Sequence, residues 1–285
     1  MQAMGAWALK PLVELTPAEF ADWQSLVEER TGLVVSEQRR TFLEASLSAR
    51  MREIDVPDYR SYFSKVTDGR AGAIEWSSLV DRLTVQETRF FRHRPSFDFL
   101  ERYLTARLDQ TGFLSLWSLG CSTGEEAYSL AIAATETIAA HGKSIRFGVT
   151  GTDISLSALE AARAGSFTLP RLVEVSPVLQ GRYFQPGPHG RLTVAAELKE
   201  RVCFARLNAL ELESAPMTGM DVIFCQNLLI YFRRWRRREI LNRLAERLAP
   251  GGVLVIGVGE VVDWRHPEMR PVEDDQVLAF IRETV

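Results

Sequence analysis

The sequence is poor in the features that several large function classes require. Its 285 residues hold three cysteines, Cys121, Cys203 and Cys225, an odd number without metal-ligand spacing. That leaves no basis for a disulfide framework or a bound metal, and points to free thiols in a reducing compartment. A net charge of −3 argues against general affinity for nucleic acid. No apolar run reaches the roughly 18 residues that a membrane-spanning helix needs. The opening stretch MQAMGAWALKPLVELTP has no basic segment followed by an apolar core. A cytoplasmic protein without direct membrane insertion is therefore expected. Internal repeats and low-complexity tracts are also missing.

What is present is an ordinary soluble composition, 46% hydrophobic and 25% charged, with enough apolar residues for a sizeable core. Thr16, Pro17 and Glu19 have the spacing of a helix start, because a Thr side chain accepts the amide three residues on while the Glu reaches back. Gly32 suits the helix end. A second helix is expected over 36–54 with Leu43, Leu47, Met51 and Ile54 on one face, and DYRSYFSKV and AIEWSSLVDRL suggest two more. Residues up to about 82 thus read as a small helical unit. From Phe113 the texture changes to strand-length apolar runs, FLSLWSL, SIRFGVTG, RVCFARL, MDVIFCQ, GVLVIGV and QVLAFIRE, alternating with helices. Such alternation implies a parallel, doubly wound sheet. The stretch 166–200 breaks the rhythm with QPGPHGRLTV, which suggests an inserted hairpin.

The first strand-to-helix turn, LWSLGCSTGEEAY, lies where an open parallel sheet brings backbone closest to a ligand. It cannot be a phosphate loop, because Glu125 and Glu126 follow Gly124 where a Lys is needed. It also fails the dinucleotide spacing, since Gly120 and Gly124 stand four apart. Acids at a helix start suit a cationic ligand, although they also complement the helix dipole. Cys121 has no base beside it and reads as a small buried residue of a tight turn. The second strand ends at Asp153, placed either to accept ribose hydroxyls or to cap the following helix, a task Ser155 can equally perform. A glycine turn without phosphate chemistry, acids after it and an acid at the next strand tip look like a site for S-adenosylmethionine, which carries a sulfonium, an ammonium and a ribose but no phosphate.

Together with LTVQETRFFRHRPSFDFL, GTDISLSALEAARAGSF, RLNAL, FCQNLLIYF and LAPGGVLVIG, that turn resembles the chemotaxis-receptor glutamate methyltransferases of CheR type over nearly the whole chain. The resemblance implies a class I S-adenosylmethionine-dependent methyltransferase fold, α/β with a mostly parallel seven-stranded sheet, a small all-helical amino-terminal domain and an inserted β-subdomain. It implies a helical domain over 1–82, a linker over 83–95 contributing to the active site, and a methyltransferase domain over 96–285 with the insertion at about 166–200. By position it assigns cofactor contacts to Gln86, Thr88, Arg92, Gly120, Glu126, Asp153, Asn208, Ala209, Gln226 and Asn227. It places Arg92 and Tyr231 beside the transferred methyl. The family usually has Asn at the position of Gln86 and Arg at that of Gln226.

The implied activity is methyl transfer to glutamate carboxylates in the cytoplasmic helical region of a methyl-accepting chemoreceptor, leaving S-adenosylhomocysteine and serving adaptation. A glutamate, with an ordinary pKa of about 4.3, is already an anion near neutral pH, so its methylation needs alignment rather than a base. The rival readings are a nucleic-acid methyltransferase and a non-catalytic binding module. YFRRWRRREI offers five arginines and a Trp to the first, but a solvated helix face accounts for the run. Arg39 and Arg50 fall on nearly the same side of the second helix, where they could meet an acidic receptor helix. The compact RYFQPGPHGRLTV, with two prolines withholding donors, is expected to form the β-subdomain without high-affinity binding of a receptor tail.

Overall fold

Helix-start chemistry organises the first unit. The computed structural model describes residues 14–109 and 112–283, and the chain divides into two compact units, the first ending at Leu83 and the second beginning at Thr84. Helix α1 (Pro17–Thr31) carries the expected capping box: the Glu19 amide donates to Thr16 Oγ1 at 3.3 Å and the Thr16 amide to Glu19 Oε2 at 3.0 Å. Gly32 ends it at φ 76°, a left-handed conformation that costs glycine little. The second helix begins later than expected. Glu37–Arg39 form a 3₁₀ turn, and α2 runs over Arg40–Glu53. Helices α3 (Tyr59–Thr67) and α4 (Gly69–Leu83) follow, the latter starting four residues before the expected Ala73. Trp23, Leu43, Leu47, Tyr62 and Leu79 form the fully buried core of this unit.

Arg50 departs from its expected role as a receptor-facing cation. Its Nε and Nη2 donate to the two carboxylate oxygens of Glu75 on α4 at 2.9 and 2.7 Å, and Tyr62 Oη donates to Glu75 Oε1 at 2.8 Å. The side chain is turned inward because its planar fork matches a buried carboxylate.

The second unit opens with the segment from Thr84. There the buried Phe90 donates its amide to the Arg171 carbonyl at 3.0 Å, and Phe91 donates to Ser129 Oγ at 3.0 Å. Then come α5 (Arg94–Arg107), β1 (Phe113–Leu119), α6 (Glu125–Ala140), β2 (Arg146–Asp153) and α7 (Leu156–Ala164). The insertion contributes β3 (Ser166–Phe167), α8 (Pro177–Tyr183), β4 (Phe184–Pro186), β5 (Leu192–Val194) and α9 (Ala196–Lys199). The chain closes with β6 (Val202–Arg206), β7 (Met220–Cys225), α10 (Arg234–Arg247), β8 (Leu248–Ile256), β9 (Met269–Pro271) and β10 (Leu278–Arg282).

The main sheet has seven strands in the order β6-β2-β1-β7-β8-β10-β9. The first five are parallel, and β10 pairs antiparallel with both β8 and β9. Every residue of the central β7 is buried, which explains the continuous apolar run MDVIFC. The order reverses beside β1, so the loops after β1, β2 and β7 gather at one end of the sheet. The expected hairpin is larger than the sequence suggested: β3 joins β5 and β4 in a three-stranded antiparallel sheet. Among the described residues no helix is long and apolar enough to cross a membrane, and no group of His, Cys, Asp and Glu is arranged to hold a metal.

Candidate active site

Backbone geometry builds the site before side chains do. After β1, the amides of Gly120 and Cys121 both donate to the Thr152 carbonyl, at 2.8 and 2.9 Å, tying the first strand tip to the second. Gly120 sits at φ 78°, and a Cβ there would lie 3.1 Å from the Leu228 side chain in the loop after β7. The glycine therefore admits both the turn and the close approach of that third loop. Gly124, at φ 97°, starts α6; a Cβ on it would lie 2.8 Å from that of Ala162 on α7.

The two acids after the turn have different environments. Glu125 is buried, accepts from Thr123 Oγ1 at 2.6 Å and lies 3.7 Å from Arg171 Nη1, so its surroundings account for it. Glu126 lines a pocket and accepts from Ser118 Oγ at 2.6 Å. Burial pushes its carboxyl up to about 7, with the nearby Glu260 adding to the shift while the Ser118 hydroxyl and Arg92 oppose it.

That pocket brings together Thr88, Arg92, Gly120, Glu126, Gln226, Asn227 and Tyr231. Arg92 Nη1 donates to the Glu87 carbonyl at 2.7 Å, which holds the guanidinium at the pocket wall. Asn227 adopts φ 57°, a left-handed conformation that Asn tolerates, and the single 3₁₀ turn Leu229–Tyr231 follows. Gln226 is packed inward: its Nε2 donates to Ser96 Oγ at 2.9 Å and to the Ile256 carbonyl at 3.4 Å.

Gln86, Asp153, Asn208 and Ala209 do not line this pocket. They belong to an adjoining cluster at the tips of β2 and β6. Asp153 accepts from the amides of Ser122 at 2.8 Å and Ser155 at 2.9 Å, while Ser155 Oγ caps α7 by accepting from Ala158. Capping thus falls to Ser155. Gln86 Nε2 reaches Ser155 Oγ and Ser157 Oγ at 3.4 and 3.3 Å, and the Leu207 amide donates to the Asp153 carbonyl at 3.0 Å. Asn208 Oδ1 accepts from the Leu210 amide, and Ala209 begins that short turn. Ser122 links the two groups, because it lines the pocket while its amide holds Asp153.

The sequence of this unit, from residue 86 to 277, matches the family described as CheR methyltransferase, SAM binding domain, and residues 18–84 match the CheR methyltransferase all-alpha domain. The chain belongs to the CheR methyltransferase family. It is 34% identical over 249 residues to the chemotaxis protein methyltransferase of Klebsiella aerogenes, covering 86% of this chain and 84% of that one. The Escherichia coli protein of the same name is 33% identical over 260 residues, 90% and 88% of the two chains. Chemotaxis protein methyltransferase 2 of Pseudomonas aeruginosa is 31% identical over 248 residues, 86% of this chain and 87% of its own.

A CheR-type chain is an enzyme that uses S-adenosylmethionine, and the residues present fit that group. Ser122 Oγ, on the pocket lining, is a buried polar atom without a hydrogen-bond partner, and Glu126 is a carboxyl group that a neighbouring cation would ionise. No phosphate-binding lysine stands in the turn. Cys121 is buried, and burial pushes its thiol well above the ordinary value, which leaves a nucleophilic role without a thiolate. Glu260, just beyond β8, escaped the sequence reading. An acid after a parallel strand of this sheet was the available signal, the same one that singled out Asp153.

Proposed function

We propose that this enzyme methylates glutamate side chains in the helical cytoplasmic region of a methyl-accepting chemoreceptor, forming glutamate methyl esters, and that it works in the cytoplasm. The observation that carries the proposal is the meeting of Arg92, Glu126 and Tyr231 in one pocket beside the Gly120 turn. When bound, S-adenosylmethionine supplies a methyl group on a positively charged sulfur. Glu126 is assigned to the cationic part of the cofactor, Asp153 to its ribose, and Asn208 with Ala209 to the far end of the adjoining cluster. Thr88, Gln86, Gln226 and Asn227 shape the walls between them.

Arg92 offers its remaining N–H donors to the receptor carboxylate, and a guanidinium can hold such a group by two parallel hydrogen bonds. The Tyr231 hydroxyl steers the attacking oxygen without adding charge. No general base is required, because the substrate glutamate is ionised near neutral pH. Holding the reacting atoms in line can lower the barrier by as much as ~7 to 11 kcal/mol. Transfer from a cation to an anion cancels charge, so keeping water from the reacting atoms favours it provided fixed dipoles keep both reactants bound.

The short turn between β4 and β5 supports recognition without a high-affinity receptor tail. It is closed on itself by Gly187 N to Arg191 O at 2.8 Å and Arg191 N to Pro188 O at 3.1 Å. The test of the function is incubation with methyl-labelled cofactor and a receptor cytoplasmic fragment, followed by mild alkali. Label released as volatile methanol is expected, because an ester yields to hydroxide. Alkali-stable label, or label on RNA or DNA, overturns the proposal.

A further inference from the structure

The loop that carries Tyr231 is held in part by side chains from outside it. Between β7 and α10 it makes Tyr231 N to Leu228 O at 3.2 Å and Phe232 N to Leu229 O at 3.0 Å. Such a turn leaves the amides before it and the carbonyls after it in need of partners. Two side chains from outside the loop meet that need. Glu260, 2% exposed, accepts the Leu229 amide on Oε2 at 3.4 Å, and the Asn227 amide is near enough to favour its charged form. Arg237 on α10 donates Nε to the Phe232 carbonyl at 2.8 Å and Nη2 to the Ile230 carbonyl at 3.3 Å. Its Nη1 donates to the Glu260 carbonyl at 2.7 Å, so the two are also joined to each other.

We propose that Glu260 and Arg237 are positioning residues which clamp this loop by its amides and its carbonyls respectively, and so hold Tyr231 in the orientation that methyl transfer requires. The inference rests on the role given above to Tyr231. Neither residue lines the pocket, so each acts through the loop rather than on the substrate. The charge arrangement agrees with this role. Burial pushes the Glu260 carboxyl up to about 7, and the amides of Leu229 and Asn227, with Arg237 and Arg92, oppose that shift. The loop amides thus help to keep the group ionised, and the ionised group holds them most strongly. The site also has no spare room: a Cβ on Gly257 would lie 2.7 Å from the Glu260 carboxyl carbon. Arg237 also gives the arginine run of α10 a specific task, since its guanidinium faces backbone oxygens of the chain itself.

Hydrogen exchange on the full-length protein tests the clamp independently of catalysis. Glu260→Ala and Arg237→Ala are expected to speed exchange of the peptide spanning 226–232 about tenfold or more, with β7 unchanged as the internal control. Unchanged loop exchange in both variants overturns the clamp. Glu260→Gln keeps an acceptor oxygen and is expected to restore most of the protection and most of the rate. If Glu260→Ala does not fold, Gly257→Ala displaces the same carboxylate without removing it and is expected to speed loop exchange in the same direction; loop exchange unchanged there overturns the clamp as well.

In methyl transfer, Glu260→Ala is expected to lower kcat about tenfold while the receptor KM changes less than about threefold. In a Tyr231→Phe background the same substitution is expected to cost little more, because both changes act through one group. Fully additive losses show that the clamp does not work through Tyr231 and overturn that part of the proposal. If the wild-type chain transfers no methyl to any receptor, the functional assignment fails and the exchange result alone decides the clamp.

Discussion

Glu75 in the helical unit and two carboxylates of the methyltransferase unit, Glu126 and Glu260, are withdrawn from water in opposite ways. In the helical unit, burial works against the charge of Glu75, yet the Arg50 fork and the Tyr62 hydroxyl hold its carboxyl below the ordinary value. In the methyltransferase unit, Glu126 and Glu260 have no cation at ion-pair distance, and burial pushes both up to about 7. Glu75 has its partners built in, and its work is to hold α2 to α4. Glu126, which lines the pocket without a cation of its own chain at ion-pair distance, is poised for one that arrives, whereas Glu260 lies outside the pocket and holds a loop amide. The contrast separates structural from functional acids without reference to any relative.

The sharpest way to break this comparison is to remove the acid that is satisfied. Glu75→Ala leaves the buried Tyr62 hydroxyl without its acceptor and Arg50 with Glu53 alone, and losing one partner of a buried pair typically costs about 3–5 kcal/mol. A large fall in the melting temperature of the helical unit is expected, with calorimetric cofactor affinity unchanged. The carboxyl is depressed in the folded state, so its stabilisation is present above the ordinary pKa of 4.5 and is lost as pH falls through the folded value. A melt insensitive to the substitution would remove the structural half of the contrast.

Arg92 tests the pocket from the other side. Arg92→Ala is expected to lower turnover by about 100-fold or more, the scale of a misplaced reactant. Arg92→Lys should not restore it, because an ammonium cannot reproduce the planar fork. Near-normal rates with Lys would mean that only charge is needed there.

A smaller effect is expected from pH. Folded-state pKa values raised from 4.5 to about 7 mean that the folded chain binds more protons than the unfolded one between those limits, so stability falls as pH rises through that window. A cationic ligand prefers ionised Glu126, and its affinity should therefore fall on going from pH 8 to pH 6, by about tenfold for one group titrating near 7. Arg92 opposes the upward shift of this carboxyl, and Glu260, raised to about 7 beside it, broadens the transition. Glu126→Gln should weaken cofactor binding and flatten its pH dependence in calorimetry. A slope that survives in Glu126→Gln would assign the titration to Glu260.

The same contrast shows why some features were legible in the sequence and others were not. The capping box, the glycine turn and the strand-tip acid Asp153 are local patterns whose chemistry is set by residues within a few positions of one another. Strands β3 and β9 have two and three residues, too few for any alternation to register. The Arg50–Glu75 pair spans 25 positions and exists only because α2 packs beside α4, so a charged helix face was the natural misreading. Arg237 was hidden in the same manner inside a run of arginines. Glu260 had a readable position, but the loop amide it accepts comes from a segment some thirty residues earlier.

The smallest effect is expected at Cys121, in the same turn as Glu126. Both residues are placed by one backbone, yet burial acts on them with different consequences. The raised carboxyl is brought within reach of ionisation near neutral pH, while the raised thiol is driven further from it. The Cys121 sulfur makes one weak polar contact, 3.8 Å to the Ser122 carbonyl, and otherwise packs, with space so limited that a Cβ on Gly151 would come within 3.1 Å of it. Cys121→Ala should therefore keep the methyl-transfer rate within about threefold of wild type and lower stability by about 1 kcal/mol, the usual scale of a single core truncation. Steady-state rates and a denaturant titration read the two quantities separately. Loss of transfer in a variant that folds and still binds cofactor would require a covalent step at sulfur and would place the reactive group of this turn at Cys121 instead of leaving the turn to bind charge through Glu126.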